Sequence, residues 1–177
     1  MLLRVSRYRT GEPHFGKSRA NRFDDCAERT THRFGVCYCG FDLITGVAET
    51  LLHDELPKRG VYQISSDDIQ TRQLITMTAS SLTLVDLTGV QLKNLVGDGK
   101  ISSTTDYTFT QSWSKALHQH PQKFDGIFYM SRHLNDRAVT AIFDRARTKL
   151  SNVQYTPLMD VVGMTRVMLD LKISLVY

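Results

Sequence analysis

Residues 35–55, GVCYCGFDLITGVAETLLHDE, decide how the chain begins to fold. The first seven, GVCYCGF, form a short strand bounded by glycines. The period then changes: Ile44, Val47, Ala48, Leu51 and Leu52 recur at the three and four spacing of an amphipathic helix. Asp42 is suited to cap its start and Pro57 to stop it. Glu49 falls off that apolar stripe, about 200° around the helix from Val47, so it faces a cleft or water and not the centre of a core.

Before this stretch, LLRVSRY at 2–8 reads as an opening strand that carries Arg4, followed by a loop rich in Gly, Pro, Lys, Ser and Asn at 10–21. The segment NRFDD at 21–25 is irregular, and such loops often carry binding groups; it contains Arg22. After it, GVYQIS at 60–65, QLITMTA at 73–79 and LTLVDLTG at 82–89 are β-rich, and VQLKNLV is a short helical turn. DYTFTQSWSKALHQH at 106–120 has helical spacing at Phe109, Trp113, Ala116 and Leu117, with Asp106 as N-cap and Pro121 closing it. FDGIFYMSR at 124–132 and AVTAIF at 138–143 read as a strand pair joined by the turn RHLNDR. The tail MDVVGMTRVMLDLKISLVY fits a helix plus a strand or two strands. Short strands outnumber helices and no strand–helix alternation is sustained, so the class is α+β. No repeat, low-complexity tract or composition shift marks a boundary, which predicts one domain over 1–177.

Composition narrows the function. A chain of 177 residues with 41% hydrophobic and 23% charged residues has the make-up of a globular protein with a real core. Its formal charge is +4, but no Lys/Arg run reaches the blocks of five or six that mark a nucleic-acid arm, so the basic balance suits an anionic small molecule and no direct nucleic-acid contact is expected. Cys26, Cys37 and Cys39 are odd in number and bunched, unlike a secreted disulfide framework, and nowhere do 18 apolar residues run together. A reducing cytoplasm, with no membrane association, is the expected compartment.

The signatures of an NTPase, a dinucleotide dehydrogenase, a zincin and an α/β-hydrolase are missing. Cys26, His32, Cys37 and Cys39 fit no paired CxxC spacing, so no metal site is expected and the thiols read as core residues. His118 and His120 sit at a helix end, where exposed carbonyls favour a cation. Taken singly, Arg22, Tyr38, Glu49 and Ser131 are ordinary turn, strand, helix-surface and strand-end residues.

Taken in order, they resemble the RES domain, a bacterial family named for its Arg, Glu and Ser positions and found as the toxin of toxin–antitoxin pairs. The resemblance runs through LLRVSRY, NRFD, GVCYCGFDLITGVAETLLHDE, LTLVDLTG, TTDYTFTQSWSKALHQHP, DGIFYMSRH and AIFDRA. It implies an ADP-ribosyltransferase-like fold, two small packed β-sheets with flanking helices around an NAD cleft, and an activity that degrades NAD. Arg22 matches the family's arginine, Tyr38 its tyrosine, Glu49 its glutamate and Ser131 its serine, while Arg4 resembles a further arginine lining the pocket.

The chemistry suits these residue types. Breaking the nicotinamide–ribose bond builds positive charge on the sugar, which a carboxylate such as Glu49 can stabilise. Arg22 and Arg4 would grip phosphates through planar forks. Tyr38 offers a ring face and a hydroxyl, and Ser131 a hydrogen bond to an amide or sugar oxygen. NAD is then a substrate, and neither a retained cofactor nor a metal is called for. Water as acceptor would make a glycohydrolase, phosphate a phosphorylase, and a macromolecule an ADP-ribosyltransferase; a nucleotide-binding or partner-binding module without turnover is the non-enzymatic rival. A cognate helical, Xre-type antitoxin and a homodimer are further implications of the resemblance.

Overall fold

The computed structural model describes residues Met1–Tyr177. In chain order the strands and helices begin β1 (Leu2–Ser6), β2 (Val36–Gly40), α1 (Leu43–Ala48), β3 (Tyr62–Ser65), α2 (Ser66–Gln70), β4 (Gln73–Ala79) and β5 (Leu84–Leu87). They continue with α3 (Gly89–Leu95), α4 (Lys100–Ser103), α5 (Tyr107–Gln119), β6 (Gly126–Met130) and β7 (Ala138–Phe143). The last are β8 (Leu150–Pro157), α6 (Met164–Asp170) and β9 (Ile173–Val176). The chain divides into two compact units, each discontinuous in sequence: Met1–Glu12, Gly40–Thr78 and Asn152–Tyr177 form the first, Pro13–Cys39 and Ala79–Ser151 the second.

In the first unit, β1 runs antiparallel to β4, with Arg4 opposite Ile75 and Ser6 opposite Gln73, and Leu3 also opposes Gly40. β8 follows β4 in strand order. β3 and β9 make a separate parallel pair, Tyr62 opposite Ile173. Alternation along β1 sends Leu3 and Val5 to one face, where they join Val47, Leu51 and Leu52, Ile69, Leu158 and Met164 in a buried cluster. Each such side chain contributes about 1.5–3 kcal/mol when fully withdrawn from water. Asp42 caps α1, its carboxylate accepting the Thr45 N–H at 2.9 Å, a contact of the kind worth about 1 kcal/mol.

In the second unit the strand order is β5-β6-β7-β2. β5 and β6 are parallel, Val85 opposite Ile127, and β6 and β7 antiparallel, Ile127 opposite Ala141. Ile127 and Tyr129 share a face and meet Phe23, Phe34, Val36, Leu87, Val139 and Phe143 in the second core, which Phe109, Trp113 and Leu117 of α5 partly cover.

β4 and β7 occupy the residues their sequence predicts, and the tail resolves as the helix α6 followed by the strand β9. Four departures have local causes. α1 ends at Ala48, well before Pro57, because the Val47 carbonyl accepts from both Thr50 and Leu51 and tightens the chain into a turn. α2, α4 and β8 lie in stretches without a clear sequence period. The buried face of α5 is polar, formed by Thr110, Gln111 and Ser114, while Ala116 is exposed. Finally, His118 is not a helix-end cation: its ring stacks on Phe34 at 4.0 Å, with Phe143 edge-on at 5.1 Å. Burial, helped by the neighbouring Arg145 charge, lowers its pKa to about 4, so the ring is neutral at pH 7.

Candidate functional site

The loop 18–25 of the second unit is built around Asp24, which is fully buried. Its Oδ2 accepts from the Ser18 hydroxyl at 2.7 Å and from the Asn21 backbone and side-chain nitrogens, each at 3.1 Å. Its Oδ1 accepts the Tyr38 hydroxyl at 3.0 Å. The adjacent Asp25 accepts the backbone N–H groups of Ala27 and Phe34. Both carboxylates of NRFDD are therefore spent on folding the loop, as buried charges must be when they are held by donors.

Tyr38, in the middle of β2, ties this loop to the sheet. Its hydroxyl accepts the Phe23 N–H at 2.8 Å while donating to Asp24. Burial, followed by the Asp24 charge, pushes the phenol well above its ordinary range, so it stays protonated and cannot serve as a base near neutrality. Phe23 itself is fully buried and sits edge-on to Tyr129, ring centroids 4.6 Å apart.

Between these anchors Arg22 is 7% exposed. Its Nη1 donates to the Ile101 carbonyl at 3.0 Å, and its Cζ stands 5.3 Å from the centroid of the Tyr107 ring, at the start of α5. The flat guanidinium thus has one edge held by a carbonyl and one face by an aromatic ring.

Ser131, directly after β6, is 2% exposed and opens the connection to β7. Its Oγ accepts the N–H groups of His133 and Leu134 at 3.1 and 3.0 Å, and its own N–H donates to the Arg137 carbonyl. Both lone pairs of this hydroxyl are thereby engaged by the turn that follows β6. The structure thus connects Arg22 and Tyr38 through one loop, and sets Ser131 at the strand end two residues past Tyr129, the ring that receives Phe23.

The other two candidates belong to the first unit. Arg4 lies in β1 with its side chain on the face opposite Leu3 and Val5. Its Nη1 is 3.6 Å from Oε2 of Glu12, whose side chain is fully buried and whose backbone N–H donates to the Tyr155 hydroxyl at 2.8 Å. Glu49 is the C-cap residue of α1, half-buried, its N–H bonded to the Thr45 carbonyl at 2.9 Å. It follows the fully buried pair Val47 and Ala48, which agrees with a position off the apolar stripe.

Sequence reasoning missed Asp24, Glu12 and the polar face of α5. The signal for the last was present: Thr110, Gln111 and Ser114 share a helix face by spacing, but polar residues there read as solvent-facing. Cys37 and Cys39 are both buried with their sulfurs 3.8 Å apart, and no cysteine is in a disulfide. No helix is long and apolar enough to cross a membrane.

Comparison with known proteins identifies the family and the fold. The family model of the RES domain matches residues 2–161. Fifty residues are 52% identical to "Probable toxin y4kH" of Sinorhizobium fredii, a stretch that covers 28% of this chain and 39% of that relative. The chain therefore matches well under half the length of this curated relative. Among solved structures, a chain from the crystal structure of the M. tuberculosis MbcT–MbcA toxin–antitoxin complex superposes with a TM-score of 0.64 at 11% identity, covering 97% of this chain and 87% of that one. At that identity the likeness is one of fold, and it accords with the mixed α+β class that the sequence led us to expect. With the family pattern extending from the first strand to beyond β8, this chain belongs to the RES domain family.

Proposed function

We propose that this protein is an NAD-degrading enzyme that cleaves the nicotinamide–ribose bond, and that residues 1–177 act as one RES domain serving as the toxin of a cytoplasmic toxin–antitoxin pair. The observation that carries the reading is family membership over residues 2–161 with the arginine, tyrosine, glutamate and serine all present, as Arg22, Tyr38, Glu49 and Ser131. The names of the curated relative and of the solved complex support the toxin role and a protein antitoxin. We take that antitoxin to be a separate, Xre-type helical protein.

The reaction loses nicotinamide as a neutral leaving group while the C–N bond electrons return to the pyridine ring. The ribose carbon, left electron-poor, takes an oxygen from water or phosphate, whose proton goes to solvent. Glu49 supplies the carboxylate that stabilises the sugar cation and holds a ribose hydroxyl. Arg22, always charged, binds the pyrophosphate, and Arg4 adds a second cation. The two bonds of the Tyr38 hydroxyl favour a role in which its ring faces the ligand and its oxygen holds the Arg22 loop. Ser131 donates to an amide or sugar oxygen. NAD is consumed, so no retained cofactor enters the scheme.

The test is to incubate purified protein with labelled NAD, with and without phosphate, following free nicotinamide and the ribosyl product beside Glu49→Gln. Release by wild type and loss of at least about 100-fold in the variant supports the reading, the product naming the acceptor. Label on a macromolecule would make the protein an ADP-ribosyltransferase. Folded, antitoxin-free protein that releases nothing would leave a binding module. A light-scattering mass on the same sample decides between monomer and homodimer.

A further inference from the structure

Three side chains on the buried face of α5 are aimed at the backbone of the Arg22 loop. The Thr110 hydroxyl donates to the Arg22 carbonyl at 2.6 Å, and the Ser114 hydroxyl to the Phe23 carbonyl at 2.7 Å. Nε2 of Gln111 donates to the carbonyls of Asn21 at 3.0 Å and Arg19 at 2.8 Å. Thr110 and Ser114 are fully buried. One helix face therefore takes the carbonyls of three consecutive residues, 21 to 23, together with that of Arg19.

The bonds that Asp24 makes within the loop are supplemented by contacts from outside it. Arg19 has φ 70°, a left-handed conformation that a residue with a Cβ adopts only where its surroundings impose it. A core would be served as well by apolar residues at 110, 111 and 114, since a hydroxyl or amide inside a protein is costly unless every bond is made. The same helix also supplies Tyr107, the ring that faces the Arg22 guanidinium, one turn before Thr110. Backbone and side chain of Arg22 are thus referenced to one rigid element.

We propose that Thr110 and Ser114 are positioning residues for Arg22, setting where its guanidinium stands and hence how tightly the protein holds the anionic part of its substrate. For its kinetic consequence the inference rests on the reading of Arg22 as the residue that binds the pyrophosphate of NAD. A displacement of about 1 Å at a binding group can change rates by about 100-fold.

Thr110→Val removes the hydroxyl at nearly constant volume, Thr110→Ser keeps it, and Ser112→Ala alters the exposed face of the same helix. A purely structural role would lower the folded fraction and so the apparent kcat, leaving KM for NAD unchanged. A positioning role raises KM by about 10-fold or more in Thr110→Val, with Thr110→Ser and Ser112→Ala near wild type. Should Thr110→Val fail to fold, Ser114→Ala takes its place with the same expectation. A KM within twofold of wild type in a folded variant overturns the proposal. If wild type itself releases no nicotinamide, the enzymatic reading has failed and the positioning claim is read directly by NMR. The Arg22 Nε–Hε signal, assigned by its loss in Arg22→Lys, should be resolved in wild type, Thr110→Ser and Ser112→Ala and shifted or broadened in Thr110→Val. An unchanged signal in Thr110→Val overturns it.

Discussion

The Tyr38 hydroxyl stands 2.8 Å from the backbone nitrogen of Phe23, accepting its hydrogen while giving its own to Asp24. One phenol oxygen therefore joins the second strand to the loop that presents Arg22. The loop's own donors, Ser18 and Asn21, reach the other oxygen of Asp24, whereas Oδ1 and the Phe23 N–H meet at this hydroxyl.

Tyr38→Phe should lower stability by about 1–3 kcal/mol, because it leaves a buried N–H and a buried carboxylate each short of a partner. The variant should also release nicotinamide more slowly than wild type. Since the phenol's folded pKa is raised above its ordinary value of 10.0, its contribution is complete below pH 10 and fades as pH rises further. Urea denaturation of both proteins between pH 7 and about pH 11 reads both effects; curves that stay parallel over that range would remove the phenol from the account.

Arg22→Lys keeps the charge and loses the planar fork that rests on Tyr107 and reaches Ile101. We expect a stability loss of about 1 kcal/mol and a rise in KM for NAD of about 10-fold or more. A lysine variant with wild-type KM would mean that charge alone suffices at this position.

His118 makes stability depend on acid. Its folded pKa of about 4 lies below the ordinary 6.5, so the unfolded chain binds the extra proton first. Stability should be intact above pH 6.5 and fall as pH drops toward 4. The ring is only half-buried, so solvent screening brings the loss to about 1–2 kcal/mol. His118→Phe, which can keep the stack on Phe34, should flatten that slope in urea titrations from pH 7 to about pH 4. An unchanged slope would assign the acid sensitivity to other groups.

Gly126 pairs with Ile142 where β6 meets β7, and a Cβ there would lie 2.3 Å from the Ala141 carbonyl oxygen and 3.0 Å from the Ile142 Cα. Both are backbone atoms of a paired strand, so no side-chain movement relieves the clash. Gly126→Ala should cost about 3 kcal/mol, read as a lowered urea midpoint; a loss below about 1 kcal/mol would show that the strands part easily here.

Strands were the most legible part of this chain. QLITMTA and AVTAIF became β4 and β7 residue for residue, because β-branched and apolar runs between breakers carry their own instruction. The caps Asp42 and Asp106 were legible too, each accepting a backbone N–H within its first turn. α5 was legible as a helix but not in its orientation, because its polar residues find partners about 90 positions away. Arg4 was read from the opening strand, yet its neighbour Glu12 sits in a loop whose course no periodicity describes.

What the sequence by itself determined is the α+β class, most of the strands, the starts of α1 and α5 and the family, all of which depend on side-chain type and short-range spacing. What only the tertiary structure decided is which polar groups are consumed in building the Arg22 loop: Asp24, Tyr38, Thr110, Gln111 and Ser114. The physical reason is that a buried hydrogen bond has value only when both partners arrive together, and the partners here come from three segments that are adjacent in space and distant along the chain.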